Sequence, residues 1–286
     1  MSSAGKYLSL IKFSHTVFAL PFALTGFTIA VVQPGQSFTW KILVAVVLCM
    51  VFARTSAMAF NRWLDRNIDA TNPRTKNREL PAGKVKPVNA IILVILSSVL
   101  FVTTTYFIND LCFYLSPVAL FVILFYSYTK RFTWLCHWVL GTGLALSPVG
   151  AYIAVTGAFA LEPILLSFTV LFWVSGFDVL YSIQDEEFDK GKKLYSIPAI
   201  LGKKNSLIIA AVSHLLSVSI LLYLWFITEM KYFFIAGIII YSVLLFFEHI
   251  EIHRKGDKAI APAFFNYNSW AGVLLCSGYI SGLIWF

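Results

Sequence analysis

Long apolar runs, broken by short charged segments, set the rhythm of this chain. Nine runs stand out, at roughly 13–32, 41–60, 88–108, 111–129, 134–156, 162–183, 206–228, 232–249 and 264–285. Most approach the ~20 residues that a helix needs to cross a hydrocarbon core of ~30 Å. The pattern predicts an all-α membrane protein with nine transmembrane helices, forming a single domain over residues 1–286. A short Ile108-Asn109-Asp110 turn joins the third run to the fourth, so those helices should be antiparallel neighbours. Pro21 and Pro148 lie inside runs and predict kinks, which membranes tolerate where neighbours satisfy the freed carbonyl. Asn266, Asn268 and Ser269 dilute the start of the last run.

Composition excludes a soluble globule. Apolar residues make up 59% of the chain, charged residues 13%, and the mean hydropathy is +0.79. The net charge of +8 would raise nucleic acid as a partner for a soluble protein. Here the basic residues sit between apolar runs and read as topology signals instead. With the N-terminus inside, 19 Lys and Arg residues fall on the cytoplasmic side and only Lys41 and Lys231 on the other; Arg54 lies within a run. The bias predicts a multi-pass protein of the inner (cytoplasmic) membrane with its C-terminus outside. Cys49, Cys112, Cys136 and Cys276 are scattered through apolar stretches, with neither metal-site nor disulfide-framework spacing.

Two charged stretches change the picture. The first, NRWLDRNIDATNPRTKNRELPAG, begins at Asn61 and closes the second run. Asn61, Asp65 and Asp69 recur every four residues and so share one helix face. Two carboxylates one turn apart repel each other unless a cation lies between them. Such oxygen donors suit a hard ion, Mg²⁺, usually held by one or two carboxylates together with substrate phosphates. Arg62, Arg66, Arg74, Lys76 and Arg78 crowd the same stretch, as a metal-bound diphosphate would require. The second, FDVLYSIQDEEFDKGKK, closes the sixth run with Asp178, Tyr181, Asp185 and Asp189. Alone, either motif reads almost as well as solvated loop acids. Together, at matching run ends on one predicted side, they point to one shared site. Asp178 and Arg54 lie inside runs, where a charge is costly and usually faces a cavity or a partner. His15 and His137 read as packing or interfacial histidines.

The order NxxxDxxxD, an RxLPxG-type turn, YxxxKR and DxxYxxxDxxxD resembles the UbiA superfamily of intramembrane aromatic prenyltransferases. The strings IKFSHTVFALPFAL, NRWLDRNIDATNPRT, YSYTKRFT and DVLYSIQDEEFD carry the likeness to its 4-hydroxybenzoate polyprenyltransferase-like branch, which includes the futalosine-route enzymes. The resemblance implies nine helices around a central cavity open sideways to lipid. It implies Mg²⁺-dependent transfer from a polyprenyl diphosphate to an aromatic hydroxy acid in quinone biosynthesis. It implies two Mg²⁺ ions on Asn61, Asp65, Asp69, Asp185 and Asp189, with Asp178 and Tyr181 near the reacting carbon. Arg54, Arg74, Arg78, Tyr126, Lys130 and Arg131 are the expected substrate-binding residues. The first run departs from the family: Lys12-Phe13-Ser14-His15 lacks the usual Lys-Pro. A futalosine-pathway naphthoate is the alternative acceptor. A transporter with paired acids is the alternative class, although transporters place such groups near the midplane.

Overall fold

A computed structural model describes residues 3–12, 18–228 and 232–285. His15, the first residues of the first predicted run, and Lys231 lie outside them. Every regular element among the described residues is helical: α1 (Ser3–Leu10), α2 (Leu20–Val31), α3 (Trp40–Thr71), α4 (Pro87–Tyr106), α5 (Asp110–Thr129), α6 (Cys136–Thr156), α7 (Leu161–Ser182), α8 (Glu186–Gly191), α9 (Ile197–Thr228), α10 (Phe233–Lys255) and α11 (Asp257–Trp285). A single 3₁₀ turn, Ile183–Asp185, joins α7 to α8.

Seven helices among the described residues are long and apolar enough to cross a membrane, not the nine expected. The α2 helix has only 12 residues, and α11 is not among the seven. Pro21 starts α2 rather than kinking it. In a first helical turn its missing N–H costs nothing, because that donor would have no partner anyway. Pro148 does lie inside α6, and Pro117 inside α5. Each proline orphans the carbonyl four residues back, and in both helices the serine just before the proline takes it up. Ser147 Oγ donates to Leu144 O and Ser116 Oγ to Phe113 O, each at 2.8 Å.

The chain divides into two compact units, residues 1–16 with 40–128, and residues 17–39 with 129–286. In the first, α3 packs along α4. Ser56 Oγ meets Ser98 Oγ at 2.8 Å there. A small cluster of Leu10, Leu80, Val85 and Ala90 binds α1 and the loop after α3 to the start of α4. Outward faces of α4 and α5 carry exposed Val88, Ile92, Ile95, Val118 and Phe121, a surface suited to lipid rather than water.

The second unit packs α6 on α7, α7 on α9, α10 on α11 and α2 on α6. Its core centres on fully buried Phe22, Trp173, Phe234, Tyr241 and Tyr279. Small residues set the closest approaches, as in helix packing within membranes. A Cβ on Gly26 would lie 2.1 Å from Pro148 O, and one on Gly141 2.6 Å from both Leu171 O and Ser175 Oγ. The α6–α7 contact at Gly141 lies one turn from His137, which has a part in the site below.

Candidate active site

The first motif needs no loop of its own. The α3 helix continues beyond its apolar stretch to Thr71, so Asn61, Asp65 and Asp69 stand one turn apart, as the spacing requires. Asn61 Nδ2 donates to Asp65 Oδ2 at 3.3 Å and reaches Ser127 Oγ of α5 at 3.5 Å. Asp69 is buried, and Arg78 Nη1 contacts its two oxygens at 2.7 and 2.9 Å. Buried Arg62 stands 4.0 Å from the same carboxylate. The loop folds back because Thr75 Oγ donates to Asp69 O at 3.1 Å and the Arg74 N–H to Asn72 Oδ1 at 2.9 Å. Arg74 itself is exposed. Tyr126 of α5 lies within electrostatic reach of Arg54, Arg62 and Asp65. Arg54 Nη2 donates to Lys12 O at 3.2 Å, and its buried Nε has no hydrogen-bond partner among the described residues.

The second motif is built differently. Its four-residue spacing is not carried by one continuous helix. The α7 helix ends at Ser182, Asp185 closes the 3₁₀ turn, and Asp189 belongs to short α8. Glu186, Glu187 and Asp189 fall in the first turn of α8, where negative charge complements the exposed N–H groups. Asp185 is 8% exposed and Asp189 fully buried. Lys130 Nζ contacts Asp189 Oδ1 at 2.9 Å, and Ser196 Oγ donates to Oδ2 at 2.8 Å. Burial works against charge on Lys130, but the Asp189 and Asp185 carboxylates outweigh it and raise its pKa, so it stays an ammonium. Arg131 is half-buried beside it in sequence.

Segment 194–197 is tied to this corner on several sides. Leu194 N–H donates to Asp189 O at 2.9 Å, Tyr195 N–H to Lys130 O at 2.7 Å, and Cys136 Sγ lies 3.4 Å from Tyr195 O. Asp178, one turn before the end of α7, has a side chain 28% exposed. Tyr181 packs on Phe264, ring centres 4.8 Å apart. His137, read from the sequence as a packing or interfacial histidine, places its Nδ1 2.7 Å from Asp178 Oδ2. Its separation of 41 residues from Asp178 gives no periodic signal.

No group of three or more His, Cys, Asp or Glu side chains is preassembled around a metal position among the described residues. Asp69 and Asp189 are instead held by cations. The donors in the two motifs, carboxylate and amide oxygens, are nonetheless the kind that hard divalent ions take.

The model of the UbiA prenyltransferase family matches residues 19–270. The chain belongs to this family; it is a prenyltransferase and a multi-pass membrane protein. A 4-hydroxybenzoate octaprenyltransferase of Vibrio campbellii is 28% identical over 279 residues, covering 95% of this chain and 92% of that protein. One from Ectopseudomonas mendocina is 29% identical over 241 residues, covering 84% and 80%. Among solved structures, a UbiA homologue from Aeropyrum pernix in its apo form is 28% identical with a TM-score of 0.84, covering 93% of this chain and 96% of that one. A UbiA homologue from Archaeoglobus fulgidus, bound to DMAPP and Mg²⁺, shares the fold at 20% identity and a TM-score of 0.67, covering 94% and 99%.

Proposed function

We propose that this prenyltransferase moves a polyprenyl group from a polyprenyl diphosphate onto the ring of a 4-hydroxybenzoate-type aromatic acid, in quinone biosynthesis. The observation that carries the reading is the pairing of a fixed cation with the last acid of each motif, Arg78 on Asp69 and Lys130 on Asp189. A diphosphate needs both oxygen-ligated metal and fixed positive charge, and each motif offers both kinds of group. The relatives named for 4-hydroxybenzoate support the acceptor class.

Asn61, Asp65, Asp69, Asp185 and Asp189 are the residues that would hold Mg²⁺, which when bound neutralises diphosphate oxygens and favours departure of the leaving group. Arg78 and Lys130 meet phosphate oxygens, one as a planar fork and the other as a point charge. Both are held in place by the carboxylates they pair with, so they stabilise the charge that develops as the allylic C–O bond breaks. The bonding electrons leave with the diphosphate. Arg54, Arg74, Arg131 and Tyr126 complete the polar surface for diphosphate and acceptor carboxylate. The ring carbon, activated by its hydroxyl, attacks the allylic cation and then loses its proton. Asp178 orients the acceptor hydroxyl or takes its proton, and Tyr181 flanks it. Loops 72–86 and 192–196 exclude water that would quench the cation to an alcohol. The same reading sets nine crossings, with the N-terminus and both motifs on the cytoplasmic side of the inner membrane and the C-terminus outside.

The test uses purified protein in nanodiscs with Mg²⁺ and a labelled polyprenyl diphosphate. 4-Hydroxybenzoate and 1,4-dihydroxy-6-naphthoate are offered separately. Transfer to the first is expected; transfer to the naphthoate alone replaces the acceptor assignment. Asp65→Asn and Asp185→Asn should each lose activity by at least about 100-fold while still inserting in the membrane. Full activity in both variants would remove the motifs from the reaction.

A further inference from the structure

His137 is 2% exposed at the first turn of α6. Its Nδ1 lies 2.7 Å from Asp178 Oδ2. Its Nε2 accepts a hydrogen bond from the Ile197 backbone N–H at 3.3 Å. A ring nitrogen that accepts from an N–H must offer a lone pair. That contact favours the Nδ1–H tautomer, in which Nδ1 donates to Asp178. The donated bond occupies one carboxylate oxygen, while the Asp178 side chain keeps 28% exposure for a ligand. The imidazole anchors that acid through Oδ2 and so favours one rotamer.

The tautomer is favoured from the second motif. Ile197 directly follows Ser196, whose hydroxyl bonds Asp189, and Asp189 pairs with Lys130. A continuous chain of contacts thus runs from the proposed diphosphate-binding cation to Asp178, through Asp189, Ser196, Ile197 and His137. Gly141, one turn after His137, sets the helix separation that lets the contact form. A Cβ there would overlap Leu171 O and Ser175 Oγ of α7.

We infer that His137 is a positioning residue for the acceptor-handling acid, orienting Asp178 and tying it to the segment that closes the second acidic motif. The inference rests on the reading of Asp178 given above. Its role is like that of a partner that orients a metal ligand or a general base: it touches no substrate but fixes the group that does.

Two measurements on the full chain in nanodiscs test it. The first is ¹⁵N NMR of labelled histidine, with His137 identified by its loss in His137→Leu. The Nδ1–H tautomer is expected in the wild type and should persist in Asp178→Asn, because the Ile197 N–H still occupies Nε2. An Nε2–H tautomer in the wild type overturns the inference whatever the enzyme transfers. The second is kinetic. His137→Asn keeps a donor near the Nδ1 position and should retain kcat within about threefold. His137→Gln and His137→Leu lose that donor and should lower kcat for acceptor prenylation about 10- to 100-fold, with KM for the prenyl diphosphate unchanged. In an Asp178→Asn background, His137→Leu should cost nothing further, because the two act as one unit. Losses that instead track thermal stability across all three His137 variants, or that add to Asp178→Asn, reduce His137 to a packing residue. If the wild type prenylates neither acceptor, the proposed function falls, while the tautomer still decides the role of His137.

Discussion

Lys130 is the residue at which charge, burial and sequence position pull hardest against one another. It begins the turn after α5, yet pairs with Asp189, which is fully buried. Removing one partner of such a pair strands a charge, which is far costlier than never having buried it. Lys130 keeps 34% of its side chain exposed, so water screens part of the interaction. Lys130→Met is therefore expected to cost about 2 kcal/mol, below the usual range for fully buried pairs, read as a lower melting midpoint in detergent. Lys130→Arg should recover most of it. The raised pKa of Lys130 fixes the sign of the pH dependence. A lysine that binds its proton more tightly when folded stabilises the protein fully below its ordinary pKa. That contribution is lost only as pH climbs through the raised folded value. The gap between wild type and Lys130→Met should thus stay level through neutral pH and close only above the ordinary lysine range. A gap that closes in the acid range would assign the effect to another group. Sequence spacing could nominate Lys130 and Asp189 separately, one for substrate and one for metal. It could not pair residues from different helices, and the same blindness hid His137.

Among the elements, the contrast between the two motifs is instructive. Four-residue spacing was enough to read Asn61, Asp65 and Asp69 on α3, because that helix carries straight on to Thr71. The same spacing in Asp185 and Asp189 concealed a break, since a run of acids can start a new helix as readily as extend an old one. The loop after α3 was legible as functional from its charge but not in how it is held. Glu79 holds it: its carbonyl accepts from the N–H groups of Lys84 and Val85, at 2.8 and 3.2 Å, and its carboxylate from Ser9 Oγ at 2.5 Å. Burial alone would raise the pKa of Glu79. The Ser9 hydroxyl, a backbone N–H, Arg62 and Lys12 outweigh that and lower it. A depressed carboxyl stabilises above its ordinary pKa, and its contribution disappears as pH falls through the folded value. Hydrogen exchange over residues 79–86, corrected for intrinsic rate, should therefore lose protection relative to α4 as pH falls from about 6 towards about 3. Glu79→Gln should start with the weaker protection and show a flatter pH response. An unchanged response in that variant would mean that Glu79 is not the group being titrated.

At the scale of the whole molecule, the apolar pattern anticipated an all-helical membrane protein, and the number of crossings turns on α2 and α11. The 12 residues of α2 span about 18 Å, short of a hydrocarbon core of ~30 Å. Its upstream flank, residues 13–17, lies outside the described residues. The 29-residue α11 is long enough, and hydropathy undervalues it for a reason visible at Asn268. That residue is fully buried, accepts from Trp173 Nε1 at 2.8 Å and donates to Glu248 Oε1 at 2.6 Å. Its polarity is spent inside the protein, where such groups find partners, rather than against lipid. A hydropathy average cannot tell an inward asparagine from an outward one. If α2 and α11 both cross, as the nine-crossing reading requires, residues 33–39 and the C-terminal end lie opposite the basic loops. If α2 does not cross, residues 33–39 share a side with the N-terminus, and the single passage of α3 then carries the seven basic residues of 61–86 to the opposite face. That arrangement sets the basic N-terminus against the most basic loop and contradicts the charge bias that orients membrane proteins. Single cysteines at Gln36, Asn77 and Trp285, in a chain whose four native cysteines are replaced, separate the two arrangements. A membrane-impermeant maleimide applied to intact cells should label Gln36→Cys and Trp285→Cys and spare Asn77→Cys until the membrane is opened. Labelling of Asn77→Cys from outside, with Gln36→Cys protected, would remove α2 from the crossings and carry the first acidic motif away from the cytoplasm.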